Sequence, residues 1–186
     1  MKYLLTVILL CITFNCNTTG YKQNIQFFKV YQPQHEQDII AEFMLNSDIF
    51  YQYRINPFLA ISQAIVEQGA VYQNYINNRY RIFNISCSNK SMCTEVFDKG
   101  ENRYRKYRIY NSFREALRDY CILLSSNTRY NKICRDMSLN YQIDIIGRSG
   151  YATDPNYLYK LRNVSKNITN IYKQNSRKVF VINIEI

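Results

Sequence analysis

The chain has 186 residues, a net charge of +10, 47% hydrophobic and 15% aromatic residues, and it contains 18 Tyr, 10 Phe and no Trp. Those values argue for one folded domain with a real core. They also narrow the chemistry: His35 is the sole histidine, which speaks against a Ser-His-Asp or Cys-His hydrolase and against a zinc centre.

The N-terminus runs from Met1-Lys2 through the apolar stretch Tyr3 to Phe14 into the small and polar residues Asn15 to Gly20. This order predicts a secretory signal peptide over residues 1–20, cleaved after Gly20, with a mature domain over 21–186. A lipoprotein modified at Cys16 and an uncleaved anchor are the alternatives. Export leaves Cys87, Cys93, Cys121 and Cys134, which allow three disulfide pairings. Cys87 and Cys93 lie close enough in sequence to staple a loop.

Gln37 to Asn46 shows helical spacing through Ile39, Ile40, Phe43 and Met44. A second helix starts at Pro57, whose missing N–H costs nothing in a first turn. It carries Ala60, Ala64, Glu67 and Val71 on one face. Glu67 is an acid in apolar company, and poor solvation there should raise its pKa toward the range of a general acid. A polar segment from Asn77 to Met92 reads as loop. Thr94 to Asp98 and Arg103 to Tyr110 then alternate in period two around Gly100, which predicts a β-hairpin.

Ser112-Phe-Arg-Glu115 is a capping box, and Phe113, Ala116, Leu117, Tyr120, Cys121 and Leu124 follow along one helix face. Shorter helices are expected around Tyr130 to Met137 and Leu139 to Ile146. Asp154-Pro155 supplies a cap and first-turn proline for a helix with Leu158, Leu161, Val164, Ile168 and Ile171 as its buried stripe. The last residues, Lys178 to Ile186, read as extended.

The basic strip Arg103-Tyr-Arg-Lys-Tyr-Arg108 alternates cations with aromatics as a nucleic-acid surface would. Export argues against nucleic acid and in favour of anionic cell-envelope polymers as the electrostatic partner. A solvated hairpin face is the plain alternative. Glu67 and Glu95 form a pair of carboxylates in unlike settings, one apolar and one polar. Glycosidic bond cleavage calls for such a pair, because one group donates a proton while the other stays charged.

Three strings now make the chain identifiable. They are Ala60-Ile-Ser-Gln-Ala-Ile-Val-Glu-Gln-Gly69, Tyr107-Arg-Ile-Tyr-Asn-Ser-Phe-Arg-Glu-Ala-Leu-Arg-Asp-Tyr120, and Gly150-Tyr-Ala-Thr-Asp-Pro-Asn-Tyr157. Across roughly Pro57 to Val164 the chain resembles the bacterial glucosaminidase family of peptidoglycan hydrolases, which includes flagellar muramidase-type and autolysin catalytic domains. The resemblance implies a mainly α (α+β), lysozyme-like fold: a helical lobe, a small β-hairpin lobe and a groove between them. It implies Glu67 as general acid, Glu95 as second acidic residue, and Tyr151 as a tyrosine holding the substrate or the developing charge. Gln63, Phe83, Tyr107 and Asp154, in or beside the matching strings, are expected to bind substrate, without metal or cofactor. The cysteine loop is similar to a related branch of the superfamily in which cysteines brace this region.

The implied activity is an endo-β-N-acetylglucosaminidase acting on peptidoglycan or a related glycan as a monomer, secreted or in the cell envelope. A lytic transglycosylase and a non-catalytic wall-binding module are the alternatives. Departures from the family pattern cluster near Glu67. Gln68-Gly-Ala-Val71 lacks the aromatic and second glycine that usually follow the acid. Arg81-Ile-Phe-Asn-Ile85 replaces the usual Asn-Leu-Phe-Gly-Ile, which sets Asn84 where a glycine is expected.

Overall fold

The helix that carries Glu67 begins where its cap residue satisfies it: Asn56 Oδ1 accepts the Phe58 N–H at 2.9 Å, and Pro57 follows in the first turn. The computed structural model describes residues 11–12, 25–26, 35–69, 72–87, 92–98 and 102–182. The expected cleavage point at Gly20 and the hairpin turn at Gly100 lie outside them. A two-residue antiparallel ladder joins β1 (Cys11–Ile12) to β2 (Ile25–Gln26).

The helical lobe comprises α1 (His35–Leu45), α2 (Ser47–Gln52), α3 (Pro57–Gln68), α4 (Tyr72–Asn77), α5 (Phe113–Ser126), a 3-10 turn (Asn131–Arg135), α6 (Leu139–Arg148) and α7 (Tyr157–Ile182). The core lies around α3, whose Leu59, Ala60, Ile61 and Ala64 are fully buried. Phe43 of α1 meets Phe50, Phe83 and Phe113 at ring separations of 6.0, 6.3 and 5.1 Å. Each such side chain contributes about 1.5–3 kcal/mol by leaving water. Gln142 of α6, fully buried, ties the lobe together. Its Oε1 accepts the Asn56 N–H at 2.7 Å, and its Nε2 donates to the Arg54, Ile133 and Asp136 carbonyls.

The capping box forms at Ser112, where Oγ accepts the Glu115 N–H at 3.1 Å. Glu115 reaches one residue further back than expected, to the Asn111 N–H at 3.0 Å. Asp154 starts α7 two residues later than its position suggested, because its carboxylate closes a turn onto the Asn156 N–H. The C-terminal expectation is corrected over its first part: α7 runs on through Lys178 to Ile182 as helix, and residues 183–186 lie outside the described residues. Its first five turns are already docked, so each added residue gains a hydrogen bond without a new nucleus. Among the described residues no helix is long and apolar enough to cross a membrane.

The second lobe is the hairpin of β3 (Cys93–Asp98) and β4 (Arg103–Arg108). Its register pairs Thr94 with Tyr107, Glu95 with Lys106 and Asp98 with Arg103. The described ties between hairpin and helical lobe gather at its root. Ser86 bridges to Tyr107, the Arg108 N–H donates to the Ile85 carbonyl at 2.9 Å, and Arg108 pairs with Asp119 at 2.8 Å. Cys87 and Cys93 form a disulfide at the same place, whereas Cys121 and Cys134 are free. Replacing Cys87 and Cys93 together by Ser should cost about 2 kcal/mol, the chain-entropy value for so short a loop. Hydrogen exchange should speed up in β3 and β4; equal protection of the strands in both proteins would refute it.

Candidate active site

Glu67 stands in the last turn of α3. The Gly69 N–H closes that turn onto the Ile65 carbonyl at 2.8 Å, and the positive φ of Gly69, +79°, turns the chain away. The carboxyl is therefore partly buried at the negative pole of its own helix. Burial raises its pKa above the ordinary 4.5, opposed by a hydrogen bond from Asn84 and by the charge of Arg81. A carboxyl so raised, at the rim of a groove, has the chemistry a general acid requires.

The groove, about 420 Å³, runs between the lobes and is lined by Glu67, Gln68, Arg81, Asn84, Val96, Phe97, Asp98 and Tyr107. A second hollow of about 360 Å³ lies between α1, α3 and α7 with mostly apolar and amide lining, and Glu36 is its single carboxylate. Only the first joins a perturbed acid to a hairpin. The Arg81 guanidinium sits over the Tyr107 ring, 5.2 Å from its centroid. Phe97 and Tyr104 make an edge contact across the hairpin at 5.2 Å and are both exposed, on the hairpin face opposite Tyr107.

Of the residues expected from sequence, the structure brings Glu67 and Tyr107 to this groove, with Tyr151 close behind. Tyr151 donates to the Phe83 carbonyl at 3.1 Å and packs between Tyr130 and Tyr157. Burial first, and then its neighbours Tyr157 and Glu67, keep its phenol protonated. Gln63 is corrected to a core residue with no exposed surface. It donates to the Tyr157 hydroxyl at 2.8 Å and accepts from the Tyr120 hydroxyl at 2.6 Å. Phe83 is also core, 2% exposed and stacked on Tyr120 at 3.8 Å. Asp154 is engaged at the start of α7, where it pairs with Lys160 at 2.6 Å.

Glu95 does not join Glu67. Alternation along the hairpin puts Thr94, Val96, Asp98, Arg105 and Tyr107 on one face and Glu95, Phe97, Tyr104 and Lys106 on the other. The Glu95 side chain is 56% exposed and pairs with Lys106 at 3.2 Å in solvent. On the Tyr107 face the carboxylate is Asp98, which is paired with Arg105 at 3.1 Å.

Asn84 was expected only as a departure from a pattern, and it is the residue that touches the acid. Its Nδ2 donates to Glu67 Oε2 at 2.8 Å. Its Oδ1 accepts from Arg81 Nη1 and from Gln68 Nε2, both at 2.8 Å. Gln68 in turn accepts from Asn78 at 3.3 Å. The signal available from sequence was the clustering of the departures themselves: Gln68, Arg81 and Asn84 all meet around one carboxyl.

Comparison with known proteins places this geometry. Residues 47–170 match the glucosaminidase family model, described as mannosyl-glycoprotein endo-beta-N-acetylglucosaminidase. The peptidoglycan hydrolase FlgJ of Escherichia coli strain K12 is 29% identical over 166 residues, 82% of this chain and 53% of the relative. The exo-glucosaminidase LytG of Bacillus subtilis is 27% identical, over 77% of this chain and 55% of that protein. The chain thus spans about half the length of these curated relatives. Among solved structures, the glycoside hydrolase domain of Salmonella typhimurium FlgJ superposes with a TM-score of 0.64 at 26% identity, covering 81% of this chain and 98% of that one.

Proposed function

Because the chain belongs to the glucosaminidase family, we propose that it is an exported glycoside hydrolase that cuts the β-1,4 bond after N-acetylglucosamine within peptidoglycan strands. The observation that carries this reading is Glu67: a carboxyl raised by burial, lining an inter-lobe groove with aromatic walls. The FlgJ and LytG names of its relatives support the substrate class. The basic, apolar and then small N-terminal sequence supports export, and the charge of +10 supports retention near anionic envelope polymers.

In the mechanism, Glu67 gives its proton to the glycosidic oxygen as the bond to the anomeric carbon breaks. With Glu95 on the far face of the hairpin, the sugar's own acetamido oxygen closes onto the anomeric carbon. Water then opens that ring while Glu67 takes back a proton. Tyr107 provides the wall against which the sugar is held, and Tyr151 backs the groove through its bond to the Phe83 carbonyl.

Digestion of purified cell wall tests the assignment. Reducing ends made of N-acetylglucosamine support it; anhydro-muramic ends would establish a lytic transglycosylase instead, and no release would leave a binding module. The acetamido route predicts that the new reducing end is first formed in the β configuration, read by proton NMR within the mutarotation time. A first-formed α anomer would require a carboxylate base, with Glu95 or Asp98 brought to the opposite side of the sugar.

A further inference from the structure

We propose that Asn84, oriented by Arg81, is a positioning residue that fixes the transferable proton of Glu67 on Oε1. The inference rests on the reading of Glu67 as the acid and deepens it.

Arg81 is a donor that admits no ambiguity. A guanidinium has no acceptor, so the Asn84 atom that meets Arg81 Nη1 at 2.8 Å must be the amide oxygen. The Gln68 Nε2 contact at 2.8 Å fills the second lone pair of that oxygen. The amide nitrogen is therefore the atom turned to Glu67, 2.8 Å from Oε2. Of the two oxygens of a neutral carboxyl the carbonyl oxygen is the better acceptor, so an N–H donated to Oε2 favours the acid form in which Oε2 is the carbonyl oxygen. The proton of the acid form accordingly sits on Oε1, which has no hydrogen-bond partner among the described residues.

The backbone supports the same conclusion. Asn84 has φ +49°, in the left-handed region that favours glycine and, after it, asparagine. That backbone conformation sets the Asn84 side chain against the acid. Arg81, itself stacked on Tyr107, polarises the amide from behind and strengthens the N–H that Glu67 receives. The arrangement holds the carboxyl in one rotamer and partly offsets the effect of burial on its pKa.

Asn84→Gly removes the clamp without straining the backbone, so folding is retained. Loss of a hydrogen bond to the charged form raises the pKa of Glu67, and the alkaline limb of the kcat/KM profile on soluble wall fragments should move to higher pH. The freed carboxyl should also lower kcat by on the order of tenfold through lost orientation, with KM little changed. Arg81→Met should move the limb in the same direction by less. Superimposable profiles for parent and Asn84→Gly, at equal thermal stability, would overturn the inference while leaving Glu67 as acid. Carbon-13 titration of the Glu67 side-chain carboxyl reads the clamp without turnover. A higher pKa in Asn84→Gly supports the inference even if wall is not the substrate, and an unchanged pKa overturns it.

Discussion

Glu67→Gln should reduce cell-wall digestion by about 10²–10⁴-fold, the usual contribution of a positioned proton donor, while making the fold slightly more stable at neutral pH. The two effects have one origin. Burial lifts the folded-state pKa of Glu67 above its ordinary value of 4.5, so the ionised form is better accommodated in the unfolded chain. The resulting cost is absent below the ordinary glutamate range, grows as pH rises from there through the folded-state value, and is constant above it. Gln keeps the oxygen that accepts from Asn84 and cannot ionise. Its melting temperature should match the parent at low pH and exceed it at neutral pH. A Gln variant that clears wall like the parent would remove Glu67 from the chemistry, and one whose advantage grew as pH fell would contradict the buried-acid account.

The largest stability effect is expected at Gln63, one turn before the acid. Gln63→Leu takes a partner from each of two buried phenols, Tyr120 and Tyr157. Each unsatisfied group costs about 1–3 kcal/mol in a buried site, and the two belong to one network. We expect a loss of about 2–5 kcal/mol, visible as a melting temperature lower by on the order of 5–15 °C. Tyr120 stacks on Phe83 and Tyr157 on Tyr151, so the floor behind Glu67 loosens as well. Converting Tyr120 and Tyr157 to Phe in the same chain removes the orphaned hydroxyls and should restore much of the loss. If Gln63→Leu melts with the parent, the phenols have another outlet and the network carries no weight.

Most of the fold was legible because its signals are local. Alternation named the hairpin, the Ser112 capping box named α5, and Asn56-Pro57 named the start of α3. Glu67 stood out for a local reason too, as one acid in an apolar run. The errors needed information that spacing does not hold. Val179 to Ile182 favours strand by composition but lengthens a helix that was already docked. Gln63 precedes Glu67 by four residues and shares its side of α3, and only the neighbours of each decide that one faces phenols and the other a groove. Glu95 was assigned correctly to β3, but spacing alone does not say which face of the hairpin it takes. The face follows from which residue opposes Tyr107, and a one-residue change in pairing would have reversed it. The ring of contacts around Asn84 spans α3, the turn after α4 and the segment beyond it, so no window of sequence contains it.

The hairpin has a mechanical consequence. Its described ties to the helices include a cluster at one end, at Ile85, Ser86, the Cys87–Cys93 link and Arg108, while Asp98 and Arg103 oppose each other at the far end. A tilt about that root would leave every rung of the hairpin's own ladder intact. On the proposed function, such a tilt would let the middle of a long glycan strand enter the groove from the side, with no loose end needed for threading.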